Sequence, residues 1–436
     1  MNTENNKLTV LILAAGIGSR MKSSIPKAMH ILGGVPMIDH LLYKSKQLNP
    51  SQIISVIGED MPELQEHIID RCDVIHQTKR LGSGHAVYTT KYVHALKEGI
   101  TLVLYADTPL VEVETLQKLV DKVSSGDADI CVLGFENYDD NSYGRLVVED
   151  ENLLRIVEKK DLQNDEKDIT LCNSGVMAIK TEIIWDLIEK INNENANKEY
   201  YLTDIVEIAT EQSHKCSFIL DDEETLQGAN TKLQLAELEV VFQSTQRMKF
   251  LEQGVQLIDP DTTYFSLDTK IGKDVVIYPN VYILPNSEIK DSCIIYPFSV
   301  VEGATIGEKS KVGPFARLRP GTELKGENHI GNFVEIKKST IDIGSKVNHL
   351  TYIGDTTIGK KVNVGAGTIT CNYDGVNKFN TTIGDNCFIG SNTALVAPVK
   401  VADGAIIGAG SVITKDVEKD NLAVSRSPQR NIPKKK

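Results

Sequence analysis

The chain has 436 residues, enough for two or three domains at ordinary domain size; 41% of them are hydrophobic, so each half can bury a core, and the formal net charge is −13. That acidic balance argues against a nucleic-acid partner held on a broad basic face, but leaves open small anionic ligands, which need only a few cations and backbone N–H groups. No run of about 18 apolar residues exists and MNTENNK lacks the charged-then-apolar start of a secretory signal, so neither a membrane span nor export is expected, and the seven scattered cysteines, without a CxxC pair, read as reduced thiols of a cytoplasmic protein.

From the N-terminus, apolar runs alternate with amphipathic stretches. Residues 8–15, 53–58, 101–106 and 130–135 read as strands; 37–48, 84–96 and 113–123 read as helices. The alternation predicts a Rossmann-like α/β domain over 1–230 with a mostly parallel sheet. Between 231 and 253, Leu233, Leu235, Leu238, Val241, Met248 and Leu251 fall near helical spacing with charges between them, which predicts one long connecting helix.

From 254 to 436 a different period rules. Aliphatic residues recur at every sixth position from Ile271 through Ile277, Ile283, Ile289 and Ile295 to Val301, and after single-residue slips the series resumes at Ile306, Ile341 and Ile358. An insertion interrupts it before it returns at Ile383 and runs to Ile413. Glycine follows many of these positions, as at Gly272, Gly313, Gly359 and Gly390. No helix has this period. Three strands of about six residues per coil make a triangular prism, whose stacked coils bury the aliphatic residues in one continuous core.

Two regions carry chemistry. In the first, Leu13-Ala14-Ala15-Gly16-Ile17-Gly18-Ser19-Arg20-Met21 leads on to Pro26-Lys27: a strand ends in a glycine loop that should open a helix. Glycine lets backbone N–H groups approach phosphates, and a helix start favours them. Met21 stands where a dinucleotide fingerprint needs its third Gly, and the Gly-Lys-Ser/Thr of a P-loop is absent. The string Gly16-x-Gly18-Ser19-Arg20-Met21…Pro26-Lys27 resembles instead the signature of sugar-nucleotide pyrophosphorylases. A merely structural turn would account for the glycines but not for Arg20 and Lys27.

The resemblance continues in family order. Gln77 and Gly82-Ser83-Gly84-His85-Ala86 look like a uracil-recognition segment. Tyr105-Ala106-Asp107 closes a strand, and open α/β sheets place ligands at such carboxyl ends. The resemblance implies Asp107 and Asn230 as Mg²⁺ ligands, two hard oxygens sharing the ion with phosphates and water. It also implies that Gly144, Glu158 and Asn173 hold a sugar, and Glu199-Tyr200-Tyr201-Leu202-Thr203-Asp204 matches a further family string. The implied reaction is attack of a sugar-1-phosphate oxygen on the α-phosphorus of UTP. It needs positioning and charge neutralisation by Mg²⁺, Arg20 and Lys27, but no protein nucleophile. His30 and His85 are then structural.

In the repeat region, GPFARLRPG (313–321), Gly331-Asn332-Phe333-Val334-Glu335-Ile336-Lys337, His349-Leu350-Thr351-Tyr352, Asn363-Val364-Gly365-Ala366-Gly367 and the inserted Cys371-Asn372-Tyr373-Asp374-Gly375 follow one another. Acetylating an amine on a sugar phosphate needs a base, cations for the phosphate and an N–H donor for the thioester oxyanion. An imidazole, with a reference pKa of about 6.5, makes His349 the natural base, with Glu335 as a group that could orient it. Taken with the N-terminal strings, these segments resemble, over essentially the whole chain, the family of bifunctional N-acetylglucosamine-1-phosphate uridylyltransferases/glucosamine-1-phosphate acetyltransferases.

That resemblance implies a left-handed parallel β-helix. It implies Arg319, Lys337, Tyr352 and Asn363 around the sugar phosphate, and Asn372 and Tyr373 beside the acetyl group. Ala366, Ser391, Ala409 and Arg426 would line acetyl-CoA, and a homotrimer would place sites between subunits. The substrates would be glucosamine-1-phosphate, acetyl-CoA, N-acetylglucosamine-1-phosphate and UTP, and the product UDP-N-acetylglucosamine, a precursor of peptidoglycan and lipopolysaccharide. Cys371 is expected to be a bystander, because such enzymes pass the acetyl group directly from thioester to amine. Ala106, Ser83 and Lys159 depart from the usual Gly, Thr and His without removing a needed group, and the chain is short after Gln429, which bears on how a neighbour's tail could cover coenzyme A. Two other readings keep the same folds. One is a nucleotidyltransferase with a prism used only for assembly, which His349, Arg319 and Lys337 oppose. The other is a non-enzymatic member, which intact Gly16–Lys27 and Asp107 oppose.

Overall fold

The apolar runs of the first half become strands of one mixed sheet. The computed structural model describes residues 7–95, 97–139 and 142–434 and divides between Phe242 and Gln243 into two units. Strands β1 (Leu8–Leu13), β2 (Gln52–Gly58), β3 (Asp73–Gln77) and β4 (Ile100–Tyr105) pair in parallel in the order β4-β1-β2-β3. Then come β5 (Ile130–Glu136), the hairpin β6 (Arg145–Glu149) and β7 (Asn152–Val157), β8 (Leu171–Lys180) and β9 (Cys216–Leu220). β8 lies antiparallel between β4 and β5 and carries the hairpin through β6, while β9 flanks β5 in parallel. Every residue of β1 is buried. Val10 and Ile12 enter one core and Leu11 and Leu13 another, as the two-residue strand period requires of a sheet covered on both faces.

Two local expectations are corrected. The glycine loop does not open an α-helix: it makes a single 3₁₀ turn, Ser19–Met21, bracketed by Gly18 and Lys22 in the left-handed conformation (φ 67 and 49). Neither bracket residue can continue a right-handed helix. The helix expected over 84–96 spans only Ser83–Tyr88. Beyond it Tyr92 and Val93 are exposed, so no apolar stripe continues, and Leu96 lies outside the described residues. Lys232–Glu252 is one helix. In the first unit Phe242 packs edge-on to His40, and in the second Phe250 packs on Phe265 at 4.7 Å.

The hexapeptide series becomes three columns of stacked aliphatic side chains. One column runs through Ile277, Ile295, Val312, Ile330, Val347, Val364, Ile389 and Ile407, each in parallel register with the next. The second runs from Ile283 through Val301, Leu318 and Ile336 to Ile353. The third begins Ile271, Ile289, Ile306, Leu324, Ile341. Nearly all are fully buried in one cluster. Each such side chain contributes roughly 1.5–3 kcal/mol on leaving water, an upper estimate because the unfolded chain is not fully extended. The single-residue slips fall where a coil takes 17 rather than 18 residues, so the inward register survives them.

Candidate active sites

Parallel pairing of β1 and β4 sets Leu13 opposite Tyr105, so the glycine loop and Asp107 leave the sheet side by side. Ala106 N–H donates to the Leu13 carbonyl at 3.0 Å and Ala14 N–H to that of Val56 at 2.8 Å. A cavity of about 390 Å³ opens there, lined by Leu13 to Ser19, Lys27, Gln77, Gly82, Ser83, Tyr105, Asp107 and others. Gly18 is required at its rim: at φ 67, a side chain there would meet Lys27 Cβ at 2.8 Å.

Four of the expected residues form one cluster. Lys27 Nζ is paired with Asp107 and donates to Asn230 Oδ1 at 2.7 Å, and Arg20 donates to the same oxygen at 2.8 Å. The Asp107 carbonyl accepts from Ala229 N–H at 2.9 Å, which draws 228–230 onto the strand end. The two oxygens therefore converge on one positive charge. Oxygen donors of this kind suit a hard divalent cation.

The uracil-type segment is held by backbone. Gln77 donates to the Gly82 carbonyl at 3.0 Å, and its amide lies 3.1 Å from His85 Nδ1, so His85 is structural. Gly84 N–H donates to Tyr200, Tyr200 N–H to Leu81, and Leu202 N–H to Ser83 Oγ. The 199–204 string is thus laced to the Gly82 loop. Gly144, Glu158 and Asn173 form a neighbouring group rather than lining the same cavity. Asn173 N–H donates to Gly144, and Thr203 donates to Glu158 Oε1 at 3.1 Å. Burial holds the Glu158 carboxyl above its ordinary value. His30 is buried, its Nδ1 2.9 Å from Lys232.

In the second unit, strands β10 (His329–Lys337) and β11 (Lys346–Gly354) run in parallel register, with Asn332 opposite His349 and Glu335 opposite Tyr352. The orienting role expected of Glu335 is corrected: its carboxylate pairs with Arg319 at 2.7 Å, and the partner of His349 Nδ1 is Asn332 Oδ1 at 2.8 Å. His349 is exposed at a corner of the prism. Lys337 stands with Arg319 and Lys378. These cations, Lys378 foremost and then Arg319, hold its ammonium below the ordinary lysine value. Asn372, buried, donates to Asp355 at 2.5 Å. Gly354 lets the Tyr352 hydroxyl and the Asn372 amide come together where a Cβ would strike both. Tyr373 is exposed in the inserted hairpin, which a Tyr373–Lys378 bridge closes.

The residues expected along acetyl-CoA lie on one edge that continues from His349. Gly367 N–H donates to the His349 carbonyl, Asn392 N–H to that of Ala366 and Gly410 N–H to that of Ser391. Arg426 reaches the Ala409 carbonyl. Asn363 stands elsewhere, in register with Lys346 and Phe388, and the described residues include no hydrogen bond from it to Arg319, Lys337 or Tyr352.

Three residues near these sites had no role in the sequence reading. Arg80 lines the nucleotide cavity, donates to the Ala15 carbonyl at 2.6 Å and pairs with Asp60. Lys378 adds the third cation beside Lys337. Asn332 could have been found by coil arithmetic, since it lies 17 residues, one turn of the prism, before His349.

Comparison with known proteins agrees with both halves. Residues 10–167 match the MobA-like NTP transferase domain, and residues 268–303 and 380–415 match the bacterial transferase hexapeptide model of six repeats. Fold and sites therefore define a two-unit transferase, a nucleotidyltransferase domain followed by a left-handed hexapeptide-repeat domain. The chain is 48% identical to the bifunctional protein GlmU of Paramagnetospirillum magneticum over 429 residues, 98% of this chain and 95% of that protein. It is 44% identical to that of Zymomonas mobilis (98% and 96% covered) and 42% identical to that of Acinetobacter baylyi (97% and 96% covered). The chain belongs to the GlmU family of bifunctional proteins and is an enzyme with two transferase activities. Among the described residues no helix is long and apolar enough to cross a membrane.

Proposed function

We propose that the chain synthesises UDP-N-acetylglucosamine in the cytoplasm, with an acetyltransferase over 254–436, a uridylyltransferase over 1–230 and a linker helix over 231–253. The observation that carries the reading is the presence, in separate units, of two different anion-grasping clusters. Lys27, Arg20, Asp107 and Asn230 converge beneath the glycine loop; Arg319, Lys337 and Lys378 stand together, and Glu335, the partner of Arg319, is in register with Tyr352 on β11, the strand that carries His349.

In the acetyl site, Arg319, Lys337 and Lys378 hold the phosphate of glucosamine-1-phosphate, and Tyr352, Asn372 and Tyr373 wall the sugar and acetyl group. His349 Nε2 takes a proton from the amine as nitrogen adds to the thioester carbonyl carbon. The C–S bond then breaks and coenzyme A leaves as the thiol, taking up that proton. A positioned base contributes roughly 10²–10⁴ in rate. Acetyl-CoA lies along Ala366, Ser391 and Ala409, small residues that leave room for an extended cofactor, with the Arg426 guanidinium at the Ala409 carbonyl.

In the uridylyl site, Gln77, Gly82 and Ser83 receive uracil and Gly144, Glu158 and Asn173 receive N-acetylglucosamine-1-phosphate. Lys27 and Arg20 neutralise phosphate charge and align the attacking oxygen. The bond from the α-phosphorus to the bridging oxygen breaks, and pyrophosphate departs with the electron pair. Asp107 and Asn230 would hold Mg²⁺, which when bound adds Lewis-acid charge at the α-phosphate.

A homotrimer accounts for Asn363, which lies apart from the other sugar-phosphate residues of its own chain. It also accounts for the exposed ladder Phe298, Phe315, Phe333 and Leu350 beside the site. The rings stack at 4.9 and 5.2 Å, and all four side chains are about half exposed, an apolar strip of a kind that marks an interface.

Incubation with glucosamine-1-phosphate, acetyl-CoA, UTP and Mg²⁺ should yield the acetylated sugar nucleotide, with all four required. Asp107→Ala should abolish pyrophosphate release and spare coenzyme A release, and His349→Ala the reverse. Either variant silencing both activities would end the assignment of two independent sites.

A further inference from the structure

Asn332 sits on β10 opposite His349 on β11, with its Oδ1 2.8 Å from His349 Nδ1. We infer that Asn332 is a positioning residue for acetyl transfer, its amide oxygen accepting the Nδ1–H of His349 and fixing the tautomer that leaves Nε2 free to take the amine proton. The inference rests on the proposed reading of His349 as the base.

A neutral imidazole carries one N–H and one lone pair, and the partner of one nitrogen decides the state of the other. An acceptor at Nδ1 therefore leaves the lone pair on Nε2. The corner geometry holds the two side chains together. The residues that follow them, Phe333 and Leu350, both take left-handed backbone (φ 56 and 50), a conformation that costs bulky residues roughly 1–3 kcal/mol. The chain therefore turns the same way in both coils, and Asn332 and His349 occupy one column. Gly331 permits the close spacing: a Cβ there would run into the Asn348 carbonyl. On the far side Gly367 N–H donates to the His349 carbonyl at 3.2 Å.

Among the described residues the charged groups nearby are engaged elsewhere. Arg319 and Glu335 engage each other, Lys337 faces Lys378 and Arg319, and Lys346, three residues before His349, pairs in register with His329 and Asn363. Among the described residues Asn332 is the hydrogen-bond partner of the His349 ring. An amide in this place differs from the carboxylate of a hydrolase triad: it fixes the tautomer without adding charge that would favour imidazolium. Throughout the transfer the Nδ1 proton stays where it is. Nε2 alone gains the amine proton and then releases it to the departing thiolate.

The test is coenzyme A release by the full chain as a function of pH for Asn332→Leu, Asn332→Asp and His349→Ala. Asn332→Leu should lower kcat by roughly ten- to a hundredfold with KM for glucosamine-1-phosphate changed by less than about threefold, because binding is not what it removes. Asn332→Asp restores an acceptor. Its rate at the alkaline end should return to within about fivefold of the parent, with the acidic limb of kcat/KM displaced upward by about one pH unit, since a carboxylate favours imidazolium. An Asn332→Leu protein with the parent's kcat and pH profile overturns the inference. So does an Asp variant as slow as the Leu variant with an unmoved limb. Acetyl transfer surviving in His349→Ala would instead overturn the reading on which the inference stands.

Discussion

Arg80 shows what a motif scan leaves behind. Lys27 and Asp107 were legible because they stand at fixed offsets within ordered strings, and the cluster they form with Asn230 follows from those strings folding onto adjacent strand ends. Arg80 acts across 65 residues on the Ala15 carbonyl, an approach fixed by tertiary packing alone. Lys378 escaped for the same reason, Asn332 was within reach of coil arithmetic, one turn before His349, and Glu335 was assigned to the imidazole when Arg319, one coil earlier, holds it. Arg80 pins the Ala15 carbonyl and sets a guanidinium in the cavity wall. A hydrogen bond from a charged group is worth roughly 1.5–3 kcal/mol, and about 1.4 kcal/mol is tenfold in affinity. Arg80→Ala should therefore raise KM for UTP by about tenfold or more and leave acetyl transfer untouched. Steady-state kinetics of both activities check this, and an unchanged KM would remove Arg80 from the site.

At the scale of elements, legibility followed periodicity. The prism was readable residue by residue because a six-residue period has one structural solution, and the slips did not hide it. The antiparallel direction of β8 was not readable, since a short apolar run carries no sign of its polarity. The stretch 89–95 mimicked a helix without having a core to face. One buried side chain in the helix Met37–Gln47 makes an element-scale prediction. His40 Nε2 donates to the Leu32 carbonyl at 2.9 Å, so Nε2 carries the proton, and its Nδ1 is buried without a partner among the described residues. Burial above all lowers its pKa from 6.5 to about 4. A folded-state value below the unfolded one means that the stabilising difference is fully present above pH 6.5 and is lost as pH falls towards 4. At about 1.4 kcal/mol per unit, the loss by pH 5 is on the order of 2 kcal/mol. His40→Gln, which keeps a donor for Leu32 and cannot titrate, should be less stable than the parent at pH 7.5, with the gap narrowing by pH 5. Denaturant titrations at the two pH values measure it, and parallel pH dependences would clear His40 of the role.

At the scale of the whole molecule the two cores share no residue. One cluster runs from Phe250 to Val417, and the clusters of the first unit lie between Leu8 and Leu226. Cooperativity follows packed apolar contact, and in a solenoid each coil is stabilised by its immediate neighbours, so the prism's stability should be set within the prism. Leu104 in the sheet and Ile353 in the prism are both 0% exposed. Removing most of either side chain loses its transfer free energy and leaves a cavity, roughly 2–5 kcal/mol in total. For units of this size that is a fall of roughly 5–15 °C in a melting midpoint. Calorimetry should resolve two transitions, Leu104→Ala lowering one and Ile353→Ala the other. The activities should divide in the same way: on mild heating the Ile353→Ala protein should lose coenzyme A release while pyrophosphate release persists, because Ile353 supports Tyr352 and the column beneath His349 but no part of the nucleotide cavity. If each substitution moved both transitions together, the chain would be a single cooperative body and the independence argued for its two sites would lose its physical basis.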